Sequence, residues 1–288
     1  MRPPVTLLVP FLGTPSEEED LIARLARIDT RPDDELILVD NRPGTAVGEV
    51  PAGRVRVLRA GARRSPWYAR NEGAARARNA WLLFVDGDCD PPRTLLDDFF
   101  APAPGDGCGV VAGEVVGMRD QAAVLARWAR SRRQMMASHH LAAGPMPAGI
   151  AANLLVSREA WEAAGGFVDA AAADVELCWL IQRAGLRFAY RPNARVAHRD
   201  PERIAAVARQ ALRYGRGRRR LRRRYGRTVP PVRLATPLGR AVAGALVWAV
   251  TGRFERALFK LIDGAWTCVL WWAYVAARRS RTDPRRLD

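Results

Sequence analysis

The ten residues Trp81-Leu82-Leu83-Phe84-Val85-Asp86-Gly87-Asp88-Cys89-Asp90 decide how the rest of the chain is interpreted. The first five are apolar and rich in aromatic and β-branched side chains, which is typical of a buried strand. Carboxylates are not kept inside such a strand, so we expect the acids where the strand emerges at a sheet edge. Clustered carboxylates repel one another unless a cation lies between them, and oxygen ligands suit Mg²⁺ or Mn²⁺. A polar turn before Pro91 is the alternative.

Strand-like and helix-like segments alternate through the first hundred residues. The strand-like segments are Val5–Val9, Leu36–Val39, Val55–Leu58 and Trp81–Val85, and the helix-like segments begin at Ser16 and Pro66. Such alternation predicts an α/β fold with a doubly wound, parallel sheet. Ligands of such folds bind in the crevice outside the carboxyl ends of the strands, where the acids fall.

The sequence of the second half of the chain predicts fewer strands and longer helices than that of the first half. We expect strands at Cys108–Val116 and Asn153–Val156, a hairpin over Phe188–His198 interrupted at Pro192-Asn193, and helices at Gln121–Ser138, Asp174–Ala184, Arg203–Arg224, Leu238–Val250 and Leu258–Ala277. We therefore predict an α/β domain over residues 1–200 and a basic, amphipathic helical appendage over residues 201–288.

The charge of the chain predicts an anionic partner. The formal net charge is +16, from 46 basic and 30 acidic residues. No acidic residue lies between Arg203 and Arg253. Lipid headgroups, nucleic acid and a phosphorylated substrate all remain open as partners on this ground.

Cysteine usage and the start of the chain predict a cytoplasmic protein. The four cysteines form no CxxC pair, so the sequence indicates neither a disulfide framework nor a zinc knuckle. The first apolar run begins at Val5 and lacks the charged region, long apolar stretch and cleavage site of a signal peptide.

The two C-terminal apolar segments, Leu238–Val250 and Leu258–Ala277, suit the surface of a membrane better than its interior. Each is shorter than, or interrupted within, the roughly 20 apolar residues that span a bilayer. Apolar faces with clustered Trp and flanking Arg are typical of helices that lie in the membrane interface. We expect a peripheral location on the inner face of the cell membrane. A core-packing hairpin or a dimer surface is the alternative, and the oligomeric state stays open.

With these segments in place, the chain resembles family 2 glycosyltransferases of the GT-A fold over roughly residues 5 to 200. The segments occur in the order of the family: Thr6–Pro10, Val39-Asp40-Asn41, Ala69-Arg70-Asn71-Glu72-Gly73, Asp86-Gly87-Asp88, and the acceptor-side pattern of Asn153–Arg158, Gly165-Gly166-Phe167 and Asp174–Trp179. The resemblance implies a nucleotide-diphospho-sugar transferase-like domain with a mixed sheet. The chain departs from the family at Ala173, where the family usually carries Glu before the catalytic Asp.

The resemblance implies three sets of site residues. The nucleotide-sugar-binding residues are Pro10, Asp40, Arg70, Asn71, Asp86, Gly87 and Arg213, the last from the stretch Gln210–Tyr214 that is similar to a QxxRW motif. The metal ligands, for Mg²⁺ or Mn²⁺, are Asp86, Asp88 and His198, although a structural role is the alternative for His198. The catalytic base is Asp174, with Glu176 as the second choice.

The implied reaction is transfer of a sugar from a nucleoside-diphosphate sugar (UDP, GDP or dTDP) to a hydroxyl acceptor that we expect to be lipid-linked. A single base without an enzyme nucleophile implies one displacement with inversion at the anomeric carbon. Two other classes of protein are the alternatives. A nucleic-acid-binding protein fits the arginines, but Asp86 and Asp88 would repel phosphate, so no nucleic acid is expected. A sugar nucleotidyltransferase would need a Gly-rich, basic loop where the chain has Phe11–Pro15.

Overall fold

The computed structural model of the protein describes residues 2–45, 48–133, 135–136, 141 and 144–277. The chain divides into two compact units. The first consists of Met1–Met118 with Arg133–Arg199, and the second consists of Arg119–Arg132 with Asp200–Asp288. The predicted domain boundary at residue 200 stays a prediction.

Over its described residues, the first unit is built on one sheet of nine strands in the order β3-β4-β2-β1-β5-β8-β7-β9-β6. The strands are β1 Val5–Phe11, β2 Glu35–Asp40, β3 Gly48–Ala52, β4 Val55–Arg59, β5 Trp81–Val85, β6 Cys89–Asp90, β7 Cys108–Gly117, β8 Asn153–Ser157 and β9 Arg187–His198. Strand β1 pairs in parallel with both β2 and β5, and β2 pairs in parallel with β4. Strand β8 runs antiparallel to β5 and β7. The sheet is therefore mixed, as the resemblance implied.

Burial explains why the central strands are continuous apolar runs. Every residue of β2 is buried, and β1 and β5 are buried at nearly every position. A parallel strand covered on both faces has no solvent side, so its sequence does not alternate. The apolar cluster that includes Leu7, Leu38, Leu83 and Leu155 spans β1, β2, β5 and β8 and forms the core of this unit.

The described helices of the first unit are α1 Pro15–Leu25, α2 Pro66–Arg76, α3 Leu95–Asp98, α5 Arg158–Ala163 and α6 Ala173–Arg183. Side chains cap the N-termini of α1, α2 and α5. Thr14 and Glu17 form a reciprocal capping box at α1. Ser65 and Ser157 cap α2 and α5 through their side chains. At Gly73 an added Cβ would lie 2.8 Å from Val39 and 2.9 Å from Leu8, so glycine lets α2 pack directly on the sheet.

The hairpin expected over residues 188–198 is wrong, because Arg187–His198 is one strand. Strand β9 pairs in parallel with β7, first from Cys108↔Arg187 to Gly113↔Arg191 and then from Glu114↔Arg195 to Gly117↔His198. Residues 192–194 are the extra residues of a bulge between these two registers. Proline lacks a backbone N–H and is tolerated at bulges, so Pro192-Asn193 has the composition of a turn without making one.

The second unit is helical. Its helices are α4 Val124–Arg132, α7 Ile204–Tyr225, α8 Ala235–Val250 and α9 Phe254–Ala276, with a 3-10 turn at Gly226–Thr228. Part of the helix expected over Gln121–Ser138 falls on residues 134, 137 and 138, which lie outside the described residues. Trp128 and Trp266 pack with ring centroids 5.6 Å apart, and Trp128 Nε1 donates to Asp263. Within the described part of the chain, none of the helices combines the length and the apolar character needed to cross a membrane.

Candidate functional site

The acidic turn Asp86-Gly87-Asp88 follows β5 directly and is held by its backbone. The N–H of Cys89 donates to Asp86 O at 3.0 Å, and the N–H of Arg199 donates to Asp88 O at 3.0 Å. An added Cβ at Gly87 would lie 3.1 Å from the carbonyl oxygen of Pro10, so a side chain there would press on the end of β1. Gly87 and Pro10 therefore shape the turn through the backbone.

Strand pairing brings His198 to this turn. Cys89 of β6 lies opposite His198 of β9. The Nε2 of His198 lies 3.4 Å from Oδ2 of Asp88, with the His198 side chain 8% exposed and the Asp88 side chain 54% exposed. The exposed carboxylate thus faces solvent while the imidazole beside it is buried.

These side chains fit a divalent ion that a substrate helps to hold. Among the described residues, no group of three or more His, Cys, Asp or Glu side chains forms a metal cage by itself. Mg²⁺-type ions are usually held by one or two carboxylates together with water and substrate phosphates. Asp86 and Asp88 are two carboxylates of this kind, and His198 lies beside Asp88, so the residues present fit such an ion.

The pKa of Asp86 is perturbed by its surroundings. Burial raises the pKa of the Asp86 carboxyl, Arg70 opposes this rise, and the carboxylates of Asp88 and Asp174 add to it. Asp86 therefore lies near enough to Asp88 and to Asp174 for their negative charges to raise its pKa. Such repulsion is what a bound cation relieves.

Arg70, expected at the nucleotide sugar, lies beside the acidic turn. One guanidinium nitrogen pairs with Asp86 Oδ1, and another donates to Pro66 O at 3.3 Å. The guanidinium carbon lies 4.8 Å from the centre of the Trp67 ring. Asn71, expected at the same ligand, donates to Phe167 O at 2.7 Å and accepts from Phe167 N–H at 2.9 Å.

Asp40 is the centre of a buried charged cluster at the end of β2. Its side chain is fully buried, and its carboxylate accepts from Arg42 Nε at 2.9 Å and from Arg59 at 2.6 Å. Glu18 of α1 pairs with the same two arginines. Burial favours the neutral acid, but the hydrogen bonds from Arg42 and Arg59 outweigh it and lower the pKa of Asp40.

Asp174 lies in the first turn of α6, half-buried, and its carboxylate is held by two backbone N–H groups. Ala151 N–H donates to Oδ2 at 3.2 Å and Val175 N–H donates to Oδ1 at 2.9 Å. The helix begins after Ala172, which has a left-handed backbone with φ of 63°. Glu176, the second choice for the base, is 1% exposed. Exposure therefore favours Asp174.

The structure adds one residue that the sequence did not indicate. Arg24 of α1 donates to Gly87 O at 3.1 Å and to Cys89 O at 3.2 Å, so it holds the acidic turn. No pattern distinguishes it from the many other arginines of the chain. Arg213 lies on α7 in the second unit, and its expected pyrophosphate contact stays a prediction.

Solved structures of low sequence identity share the fold. The mannosyltransferase PcManGT from Pyrobaculum calidifontis, in complex with GDP-Man and Mn²⁺, matches 96% of this chain and 87% of its own with a TM-score of 0.66 and 20% identity. Glucosyl-3-phosphoglycerate synthase from Mycobacterium tuberculosis, in complex with Mn²⁺, UDP and glucosyl-3-phosphoglycerate, matches 77% of this chain and 79% of its own with a TM-score of 0.50 and 20% identity. The predicted GT-A fold class is confirmed.

Curated relatives match a shorter stretch. Pre-mycofactocin glycosyltransferases from two strains of Mycobacterium tuberculosis are 27% identical over 144 residues. The match covers 47% of this chain and 30% of each relative, so the chain spans less than a third of the length of those proteins. A family model described as glycosyltransferase-like family 2 matches residues 3–217, well over half of the chain. The predicted family is therefore confirmed, and the chain belongs to the glycosyltransferase-like family 2.

Proposed function

We propose that the protein is an inverting glycosyltransferase that moves a sugar from a nucleoside-diphosphate sugar to an acceptor hydroxyl. The observation that carries the proposal is that Asp86, in the turn after β5, interacts with the charge of its neighbour Asp88 and with that of Asp174, which lies in the first turn of α6. In a family 2 chain, two of these acids suit a divalent ion that holds the donor diphosphate, and the third suits the proton of the acceptor hydroxyl. Neither nucleic-acid binding nor nucleotidyl transfer explains a carboxylate on the acceptor side.

The donor side of the site consists of Asp88, His198 and Asp86. Asp88 and His198, with Asp86 beside them, would hold Mg²⁺ or Mn²⁺, which when bound neutralises the charge of the departing diphosphate. Arg70 compensates the charge of Asp86. Two structural neighbours were solved with Mn²⁺ together with GDP-Man or with UDP, which supports this class of donor and metal.

On the acceptor side we assign the proton transfer to Asp174. A general base must reach the hydroxyl proton and must be held in place. The two N–H donors of Ala151 and Val175 orient the Asp174 carboxylate, which stays half-buried and so accessible. With one base and no covalent enzyme intermediate, the acceptor oxygen attacks opposite the leaving group, and the anomeric carbon inverts.

We assign the base end of the donor to the cluster around Asp40. Both carboxylate oxygens of Asp40 accept from Arg42 or Arg59. Contact between Asp40 and a nucleobase therefore requires that one of these arginines move. Of the two arginines, Arg42 is the nearer to Asp40 in sequence, since it follows Asp40 by two residues and its backbone N–H also donates to Asp40. Its guanidinium also lies over the Phe11 ring at 5.6 Å.

We also propose that the second unit binds an anionic membrane surface, where a lipid-linked acceptor would be met. Helix α8 exposes Val242, Leu246, Val247 and Val250, the last 88% exposed. Arg253 and Arg256 lie over the ring of Trp248 at 5.1 and 4.8 Å. An apolar face flanked by arginine suits the headgroup boundary of an anionic bilayer. Free cysteines at all four positions, within the described residues, agree with a cytoplasmic location.

Sedimentation with vesicles tests the membrane proposal. The protein should pellet with vesicles that contain phosphatidylglycerol, less with phosphatidylcholine alone, and less at high salt. Val250→Glu should weaken pelleting, whereas Val50→Glu, at a valine of β3 that is 48% exposed, should not. Equal pelleting of both variants, or a dimer in solution that Val250→Glu dissociates, would contradict the membrane assignment.

The reaction itself is tested in two stages. First, UDP, GDP and dTDP sugars are screened for a rise in melting temperature with and without Mn²⁺. A ligand at a hundredfold excess over its dissociation constant stabilises the folded state by about 2.7 kcal/mol. No shift with any of them refutes the donor class.

Variants then separate the roles. Asp88→Ala should lose metal-dependent donor binding, and Asp174→Asn should keep donor binding but lose transfer. Asp90→Asn is the control, because Asp90 belongs to the same acidic run yet is 50% exposed and pairs only loosely with Arg27 at 3.6 Å. Full transfer by Asp174→Asn would remove Asp174 from the base role.

A further inference from the structure

We propose that Trp67, Asn71 and Phe167 are positioning residues that hold the guanidinium of Arg70 against Asp86 and so fix the donor-side carboxylate of the site. The inference rests on the proposed function, since it names residues that tune the same site. It changes the expected role of Arg70 and Asn71 from binding the nucleotide sugar to holding the residues that do.

Arg70 is a buried cation whose guanidinium makes few hydrogen bonds. Its side chain is 4% exposed, and it pairs with Asp86 and with Pro66 O. Its Nε has no hydrogen-bond partner among the described residues. Aromatic faces supply the remaining contacts, with ring centroids of Trp67 and Phe167 at 4.8 and 6.0 Å from the guanidinium carbon. A planar, weakly hydrated guanidinium is suited to such stacking.

The Phe167 ring is fixed by contacts from a helix, a strand and its own loop. Asn71 holds the Phe167 backbone through both its N–H and its C=O. Phe84 of β5 packs edge-on against the Phe167 ring at 4.9 Å, and Trp67 packs against it at 5.4 Å. Preceding Phe167, Gly166 has φ of +70°, and its added Cβ would lie 3.0 Å from Asn71 Oδ1. These contacts hold the Phe167 ring beside the guanidinium of Arg70.

The N-terminal end of α2 is tied to the same loop. Ser65, the cap of α2, donates its hydroxyl to Asp169, and Arg63 pairs with Asp169 at 3.2 Å. The loop that carries Phe167 is thus joined to α2 at Ser65 and again at Asn71. Removal of either ring opens the space beside the guanidinium, lets Arg70 leave Asp86, and leaves Asp86 to repel Asp88. Metal-dependent donor binding should weaken in consequence.

The test compares Trp67→Leu and Phe167→Leu with Tyr68→Leu. Tyr68 is the next aromatic residue of α2, and its ring contacts Arg63 instead of Arg70. The Mn²⁺ concentration for half-maximal nucleotide binding should rise about 2- to 30-fold in the first two variants, as expected for loss of a cation–π contact. Trp67→Phe should restore most of the loss, and Tyr68→Leu should behave as the wild type. A rise of equal size in Tyr68→Leu overturns the inference.

A double-variant cycle shows whether Trp67 acts through Arg70. In an Arg70→Met background, Trp67→Leu should cause no further change in the Mn²⁺ requirement, because the group that the ring positions is already gone. Additive losses in the cycle mean that Trp67 acts by another route, and they overturn the inference.

Hydrogen–deuterium exchange of the metal-free protein separates this inference from the proposed function. The amide of Cys89, which donates to Asp86 O, reports on the acidic turn. It should exchange faster in Trp67→Leu and Phe167→Leu, and at the wild-type rate in Tyr68→Leu. If the wild type binds no sugar nucleotide, the proposed function fails, and this exchange alone decides the positioning. Unchanged exchange in all three variants overturns it.

Discussion

Arg24 provides the sharpest test of how the acidic turn is held. Its guanidinium donates to Gly87 O at 3.1 Å and to Cys89 O at 3.2 Å, across more than sixty positions of sequence. Arg24→Met keeps the aliphatic stem and removes both donors. A hydrogen bond of this kind contributes about 0.5–1.5 kcal/mol net, so the pair contributes about 1–3 kcal/mol. If the bound form needs the turn in place, donor binding weakens by roughly 5- to 140-fold.

The assay is calorimetric titration of the metal-loaded protein with the sugar nucleotide found in the screen, together with the melting temperature of the apo protein. Arg27→Met is the matched control. Arg27 lies three residues further along the chain from Arg24, its side chain is 66% exposed, and it pairs with Asp90 only at 3.6 Å. Exposed pairs of this kind contribute about 0–1 kcal/mol. Wild-type affinity in Arg24→Met, or an equal loss in Arg27→Met, would refute the reasoning.

Two further predictions concern stability. Asp34→Asn breaks the buried pair with Arg2, whose side chains are 0% and 2% exposed, and should cost about 3–5 kcal/mol of unfolding free energy in a denaturant titration. Burial favours the neutral form of Asp34, but the hydrogen bonds from Arg2 and from the backbone outweigh burial and lower the pKa of Asp34 from 3.8. The ionised carboxylate therefore stabilises the fold fully above that pH, and the stabilisation is lost as the pH falls below it. Because asparagine does not titrate, Asp34→Asn should make the free energy of unfolding depend less on pH in acid. Gly113→Ala places a Cβ against Asn153 Nδ2 and 2.6 Å from Ala194 O, and should lower the free energy of unfolding by about 1–3 kcal/mol. Gly48→Ala, whose added Cβ has no atom within 4 Å, should be near neutral. Equal costs for the two variants would contradict the packing argument.

The central strands could be predicted because a strand that is buried on both faces is apolar at nearly every position. Val5–Phe11, Glu35–Asp40 and Trp81–Val85 are apolar runs that end near polar or acidic residues, and the structure places them side by side. The edge strand Gly48–Ala52 was missed, since its residues are mostly exposed and it pairs with one neighbour. Strand Arg187–His198 was divided wrongly because a bulge and a turn use the same residue types.

The candidate site could be predicted only in part from residue types. Acids after a buried strand indicated Asp86 and Asp88, whereas Asp174 was expected only from the resemblance to the family. Partners were not predictable, because an amide or a guanidinium has no preferred partner until the chain is folded. Asn71 finds Phe167 at a separation of 96 residues, and nothing in the local sequence encodes that contact.

In the proposed site, helix α2 contacts both the donor side and the acceptor side. Arg70 pairs with Asp86, while Asn71 holds the backbone of Phe167 in the loop that precedes Asp174. Adjacent residues of a helix point about 100° apart, so one turn can serve both directions. A change at Asn71 should consequently affect metal dependence and transfer together, whereas a change at Asp88 should act on metal-dependent donor binding first. Measuring both quantities in Asn71→Ala and Asp88→Ala distinguishes a shared support from a single ligand.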